Sequence, residues 1–435
     1  MAKDGRKMKE EIQEEMDEAM GKEIDDQGQA QGAKKGGWNV GPNYKKGRRL
    51  KLFRLLMYAG ILPTHALALI NDSELYLKRK AYFMTNEGTL VKERVAGEFV
   101  YRIRRMPKDA DLVELMDACP KTYDFYDKTS EWMIKRIKGR TWEGDEKRMY
   151  RNAETILFCD RLPVRYLLEE KSTLREMFSG NEYYTSQELL ADSSGEFDRN
   201  NYEVDLNKEF VFPIGGSRNS GALFTNGGVY AIYNFSKWNM EFRGKTETSL
   251  LDYLRNIANA RGMDKPKMAA LFLYRTDKVL RELANPTVKY AKSVKRITEV
   301  YDDVYALPLT TEGQMLASYM CNPSWRESMN RIFRIENARD GDDVNTDYLY
   351  RVDGISRDGD GTIRYVILFA VPDIKKLTRL IDTIENATDR SKFIVRCFDF
   401  QEGFIKSFMP EGVLIQTAAF DKFLEYVNHL QEKGE

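Results

Sequence analysis

Three residues that follow a predicted strand have the types used in metal-dependent phosphodiester cleavage. They are Glu241, Lys245 and Glu247, within the stretch Trp238-Asn-Met-Glu-Phe-Arg-Gly-Lys-Thr-Glu. Two carboxylates can hold a divalent cation while a lysine steadies the attacking water. Such sites place the acid and the lysine one residue apart, whereas Glu241 and Lys245 are separated by three, and positions 225–228 carry no acid. We therefore expect a scaffold without metal, and keep a metal-dependent nuclease as the alternative.

Other catalytic chemistry has few residues available to it. The 435 residues include only two histidines, His65 and His429, and four cysteines without any C-x-x-C spacing. A structural zinc site is therefore not expected. A serine or cysteine nucleophile would need one of the two histidines as its base. No G-x-x-x-x-G-K-[ST] motif is present, so the sequence predicts neither a nucleotide-driven motor nor any cofactor.

Charge is unevenly distributed along a chain with 68 basic and 68 acidic residues. Residues 45–105 hold fourteen basic and five acidic residues, a net charge of +9. A window of this kind is the electrostatic footprint of a module that binds a polyanion, although a solvated basic face would give the same count. The predicted DNA contacts are Arg48, Arg49, Lys78, Arg79, Lys80, Tyr82, Lys92, Arg94, Arg102, Arg104 and Arg105.

The elements of this window follow a simple order. Apolar residues at helical spacing predict helices over 48–58, 65–70 and 74–85, with Leu77, Ala81 and Met84 as the core stripe of the third. Residues 89–91 and 99–103 predict a hairpin around Gly97. Three helices followed by a basic hairpin indicate a winged helix-turn-helix at 45–106. Before it, residues 1–44 are predicted as an acidic arm and a flexible linker: residues 8–25 form a short exposed helix or are disordered, and residues 27–44 form the linker.

The rest of the chain predicts an α+β or α/β multidomain protein. Residues 107–208 show helical periodicity and are interpreted as a helical connector. Residues 209–345 predict strands at 210–214, 222–225, 229–233, 268–274 and 304–309 with helices between them, a mixed sheet domain with the order of a restriction-endonuclease-like core. Residues 346–435 predict strands at 348–352, 363–371, 393–398 and 413–416 and two helices. They form a C-terminal α/β domain or extend the first sheet.

The pattern as a whole resembles the replication-relaxation family of plasmid and conjugative-element proteins. The resemblance covers about residues 48–310 and is carried by Gly227-Gly-Val-Tyr-Ala-Ile-Tyr-Asn, by Met240-Glu241 and by residues 245–247 leading into a helix. It implies a winged-helix, DNA-associated protein of a mobile element. Whether such a protein is an enzyme does not follow from the resemblance.

The leading functional hypothesis is a DNA-binding protein of a bacterial plasmid, conjugative element or phage. It would act in replication, transfer or their regulation, with double-stranded DNA as its partner and a homodimer as one arrangement on the DNA. An inhibitor that binds a host or element-encoded protein complex is a third possibility, since the acidic remainder of the chain suits a basic partner. No apolar run approaches membrane length and no signal peptide is evident, so we expect a cytoplasmic protein.

Overall fold

A computed structural model describes residues 42–104, 117–128, 143–194, 214–339, 342, 344–349, 351–359 and 361–433. The acidic segment 8–25, residues 210–213 of the strand predicted at 210–214, the side chain of Arg48 and all of Arg105 lie outside the described residues. The chain divides into two units at Gly47, and every described sheet belongs to the second unit, Arg48–Glu435. That unit mixes α-helices with one antiparallel and two mixed β-sheets.

The first elements are helix α1 (Pro42–Ala59), strand β1 (Leu62–Pro63), a 3-10 helix (Thr64–Leu69), helix α2 (Glu74–Asn86) and strands β2 (Leu90–Val95) and β3 (Glu98–Ile103). The strands form an antiparallel sheet in the order β1-β3-β2. The predicted second helix is thus a single 3-10 segment, and β1 was not predicted because two residues carry no periodicity. Both residues of the β2–β3 turn, Ala96 and Gly97, have positive φ, which matches the twist of a tight hairpin.

The region predicted as a helical connector is only partly helical. Helix α3 (Glu143–Cys159) is followed by strand β4 (Glu182–Thr185) and helix α4 (Ser186–Ser194). The helical prediction is therefore wrong at 182–185. The four residues of β4 are all buried, and their place in the sheet comes from tertiary pairing with residues 221–224, which no local pattern encodes.

Strand β4 is the edge of a five-stranded sheet in the order β4-β5-β6-β7-β8. The other strands are β5 (Gly221–Thr225), β6 (Gly228–Ser236), β7 (Met268–Tyr274) and β8 (Asp303–Pro308). Pairing is antiparallel from β4 to β6 and parallel from β6 to β8. Helix α5 (Gly244–Ala260) connects β6 to β7, and helices α6 (Asp277–Ala284) and α7 (Val288–Thr298) connect β7 to β8. The four predicted strands from 222 to 309 are confirmed.

Both faces of this sheet are covered, which is why its parallel strands are nearly continuous apolar runs. Along β6, Tyr230 and Ile232 join a core that extends to the N-terminal elements. Their neighbours Val229, Ala231 and Tyr233 join the second core, formed with α5 and α7. The alternation of side chains along one strand thus divides the interior into two layers.

The C-terminal part forms a separate four-stranded sheet in the order β12-β11-β10-β9. Three helices precede it, α8 (Thr311–Met320), α9 (Trp325–Ile332) and α10 (Thr346–Leu349). Its own elements, in chain order, are β9 (Gly354–Arg357), β10 (Ile363–Leu368), α11 (Ile374–Glu385), β11 (Phe393–Phe398), α12 (Glu402–Phe408), β12 (Leu414–Ala418) and α13 (Phe420–Lys433). It does not extend the first sheet. The strand predicted at 348–352 is wrong: Tyr348 lies in a short helix, where its ring packs on Tyr365 and Phe393.

Candidate nucleic-acid interface

Helix α2 presents a basic and aromatic outer surface. Leu77, Ala81 and Met84 are buried, as the helical spacing predicts, so the residues between them point away from the core. The Lys78 ammonium lies 3.0 Å from the Glu74 carboxylate one turn earlier, and half of its side chain is exposed. Arg79 has no acidic partner among the described residues. The prediction that Leu77, Ala81 and Met84 form the buried stripe of this helix is therefore confirmed.

The hairpin divides its charged residues between two faces. Lys92 pairs with Tyr101 and Arg94 pairs with Phe99 across the ladder, so these four side chains share one face. The Lys92 ammonium lies 4.9 Å from the centre of the Phe99 ring, and the Arg94 guanidinium carbon lies 4.8 Å from it. These are cation–π distances. One aromatic ring thus contacts both cations.

Lys92 on the hairpin lies within electrostatic reach of Lys78 on α2. Burial lowers the pKa of Lys92 below its ordinary value, and the nearby charge of Lys78 lowers it further. The charge of Lys78 on α2 thus disfavours the charged form of Lys92 on the hairpin. An arrangement of this kind has an electrostatic cost in the free protein and is relieved by an anion.

Several predicted contacts have acidic partners within the protein. The Arg49 guanidinium lies 3.1 Å from Glu87, just after α2. Arg102 lies on the other face of the hairpin from Arg94, where its Nε is 2.6 Å from Glu93. Arg104 is exposed and follows the end of β3. The structure therefore brings Lys92 and Arg94 together within electrostatic reach of Lys78 and places Arg102 on the other face.

Three exposed aromatic residues belong to the same elements and were not predicted as contacts. They are Tyr76 and Phe83 on α2 and Phe99 on the hairpin, with 39%, 52% and 42% of their surfaces exposed. An exposed ring beside basic groups can stack on a base or sugar as well as pack on protein. Basic residues alternate along β2 (Lys92 and Arg94), and aromatic residues alternate along β3 (Phe99 and Tyr101). This alternation could have indicated from the sequence which residues share one face of the hairpin.

A buried polar network joins these N-terminal elements to the five-stranded sheet. Nε2 of His65 lies 2.9 Å from the carboxylate of Glu154 on α3, which is fully buried. Because a carboxylate only accepts, Nε2 donates to it, and Nδ1 forms a hydrogen bond with the Tyr150 hydroxyl at 3.0 Å. Asn234 and Ser236 at the end of β6 donate to the same carboxylate at 3.1 and 3.0 Å. One of the two histidines is thus linked through Glu154 to the end of strand β6.

Charged residues after β6 and β7 continue this junction toward the hairpin. Lys237 forms an ion pair with Glu98, the first residue of β3. Arg275, just after β7, lies 3.7 Å from the same carboxylate. These pairs fix the hairpin against the carboxyl ends of two parallel strands. The orientation of the candidate interface is therefore tied to the sheet.

The three residues considered for metal chemistry are not gathered into one group. Glu241 and Lys245 are exposed, and neither forms a hydrogen bond or ion pair with Glu247 among the described residues. Glu247 is buried on α5, where it accepts from Tyr233 at 2.6 Å and Ser217 at 2.7 Å. Burial raises the pKa of Glu247, and these hydrogen bonds oppose the increase. Its partners are those of a structural carboxylate.

Among the described residues, no group of three or more histidine, cysteine, aspartate or glutamate side chains could hold a metal ion. Within the same part of the chain, no helix has both the length and the apolar character needed to cross a membrane. No family model, curated protein or solved structure matches the chain.

Proposed function

We propose that this protein binds duplex DNA through helix α2 and the basic face of the β2–β3 hairpin. The observation that carries the proposal is the pair of cations Lys92 and Arg94 on the exposed ring of Phe99, with the charge of Lys78 on α2 acting on Lys92. Phosphate groups neutralise such a cluster, and Lys and Arg contacts to phosphates supply most of the affinity for DNA. Base contacts would come from the outer side of α2 in the major groove.

The order of the elements supports a winged helix-turn-helix. Helix α1, strand β1, the 3-10 helix, helix α2 and the β2–β3 hairpin follow one another, and β3 lies between β1 and β2. In this arrangement α2 is the recognition helix and the hairpin is the wing. The short turn of residues 71–73 between the second and third helices is also typical of this motif.

We further propose that the five-stranded sheet is a restriction-endonuclease-like scaffold without metal. Its order of three antiparallel strands, a helix and a parallel strand supports this interpretation, and so does the structural environment of Glu247. With the sequence resemblance, this gives a DNA-binding protein of a bacterial mobile element. The sheet would hold the winged helix-turn-helix in place through Glu154 and Glu98 and would not cut DNA.

A charge-reversal experiment on the full chain tests the DNA-binding proposal. The double variant Lys78→Glu, Arg79→Glu is compared with Lys295→Glu, Lys406→Glu, which changes the net charge equally. Lys295 and Lys406 are exposed and each lies one turn from a glutamate, so they reproduce the local setting of Lys78. Binding to a fluorescent duplex is measured by anisotropy at several salt concentrations.

Each reversal at the interface removes about one phosphate contact and about 0.9 from the log–log salt slope, so the slope of the first variant should fall by about 2. The control variant should keep the slope and most of the affinity of the wild type. Both variants should retain the melting temperature within a few degrees, since all four side chains are exposed or partly exposed. Equal loss of affinity in both variants would mean that the basic window contributes only net charge.

A further inference from the structure

The C-terminal sheet contains a cavity of about 450 Å³ that the proposed DNA interface does not use. It lies between segment 332–336 and one face of strands β9, β11 and β12, lined among others by Arg334, Ser356, Arg396 and Gln416. Its volume is within the range of about 300–1,000 Å³ that is usual for small-molecule sites.

Arg396 on strand β11 lines this cavity and is only 8% exposed. Its guanidinium donates to the Gln416 side chain at 3.1 Å, to the Arg334 carbonyl at 2.9 Å, to the Phe333 carbonyl and to the Ser356 hydroxyl at 2.7 Å. All four acceptors are neutral. One Nη2 hydrogen has no acceptor among the described residues. Strand β11 therefore carries a buried cation that no carboxylate of the described ranges pairs with, which is costly unless an anion approaches it.

The other charges of the cavity do not supply that anion. Arg357 is engaged by Glu336 and by Asp342, the latter at 2.6 Å. Asp358, also in the lining, has its own partner in Arg364 at 2.6 Å. Arg334 is exposed and has no acidic partner among the described residues, and its charge lowers the pKa of Arg396 in addition to the effect of burial. Within the described part of the chain neither Arg334 nor Arg396 forms an ion pair, although the charge of Asp358 raises the pKa of Arg396 and so partly offsets the effect of Arg334.

We propose that this cavity binds a small molecule through a phosphate group, held between Arg334 and the remaining donor of Arg396. Guanidinium groups are suited to phosphate because their planar N–H donors match two of its oxygens at once. The cavity is larger than one phosphate, so the ligand would carry a further polar part beside Gln416 and Ser356. This inference goes beyond the proposed DNA binding and does not depend on it.

The test uses the full chain in the absence of DNA. The probes are inorganic phosphate and pyrophosphate. The melting temperature is followed as each probe is added, against potassium chloride at equal ionic strength. Arg334 has a φ of +49°, so Arg334→Asn removes the charge with a residue that tolerates this backbone conformation. Arg334→Lys keeps the charge, and Arg255→Asn, an exposed arginine on α5, is the matched control.

We expect a saturable rise in melting temperature with both probes that chloride does not reproduce. The half-saturating concentration should increase by about tenfold in Arg334→Asn, as expected for loss of a charged hydrogen bond of about 1.4 kcal/mol. It should change much less in Arg334→Lys and not at all in Arg255→Asn. Equal responses of the wild type and Arg334→Asn, or an equal effect of chloride, would overturn the proposal. A loss of duplex binding in Arg334→Asn with phosphate binding unchanged would also overturn it.

Discussion

Asp373 should make the folded protein less stable as the pH rises through the weakly acidic range. It caps helix α11, where its carboxylate accepts from the Lys375 amide at 2.9 Å and from the Val304 amide at 3.3 Å. Burial, followed by the charge of Asp303, raises the pKa of Asp373 from 3.8 to about 6. Between these values the folded state keeps a proton that the unfolded state has lost. The stability that this proton preserves below about pH 4 is therefore lost above about pH 6.

The magnitude follows from the two pKa values. A difference between 3.8 and about 6 corresponds to a cost of about 3 kcal/mol once the carboxylate is fully ionised. Asparagine caps helices about as well as aspartate and carries no charge. We therefore expect Asp373→Asn to increase the free energy of unfolding by about 1–3 kcal/mol at pH 8. At pH 4 the change should be close to zero.

Urea denaturation at pH 4, 6 and 8 measures this effect through tryptophan fluorescence. Trp325 is a local reporter because its ring lies 5.2 Å from that of Tyr305, two residues after Asp303. Asp342→Asn is the control of opposite sign, since the Arg339 amide and then the Arg357 charge hold the pKa of Asp342 below its usual value. That variant should lose stability at pH 8. An Asp373→Asn variant that is no more stable than the wild type at pH 8 would refute the reasoning.

Three further predictions concern packing, the buried network and the hairpin. Gly313→Ala should destabilise the protein by about 1–3 kcal/mol, because the added Cβ would overlap the Pro308 carbonyl; Gly403→Ala, with open space around it, should be neutral or slightly stabilising by melting temperature. Glu154→Ala should lower the free energy of unfolding by about 1–3 kcal/mol, as measured by urea denaturation. The substitution removes the acceptor shared by three buried or partly buried donors. Arg94→Ala should reduce the salt slope of DNA binding by about 1, while Arg102→Ala should leave it unchanged because that side chain is engaged by Glu93; equal slopes in the two variants would contradict the assignment of faces.

Much of the fold follows from local sequence patterns. The run Met268–Tyr274 was predicted as a buried strand because seven apolar residues in a row suit a strand covered on both faces. Helix α2 was predicted from the spacing of its buried residues and ends one residue beyond the prediction. Strand β4 could not be predicted, because four residues hold too little pattern and their pairing with β5 is set by tertiary contact.

Only the part of the candidate interface that depends on local sequence could be predicted. Charge and helical periodicity indicate which residues of α2 face outward, since both depend on the local sequence alone. The pairing of Arg49 with Glu87 brings together residues 38 positions apart, which no local pattern shows. The phosphate cavity was not predicted at all. Its lining comes from three strands and the segment at 332–336, so it exists only once the sheet is assembled.

The salt dependence of duplex binding by the full wild-type chain tests the central claim most directly. Anisotropy of a labelled duplex would be measured between 50 and 200 mM salt, and the logarithm of the association constant plotted against that of the salt concentration. For about six phosphate contacts the account predicts a straight line with a slope of about −5. Absence of binding to any duplex at 50 mM salt, or an affinity that stays constant across this range, would contradict it.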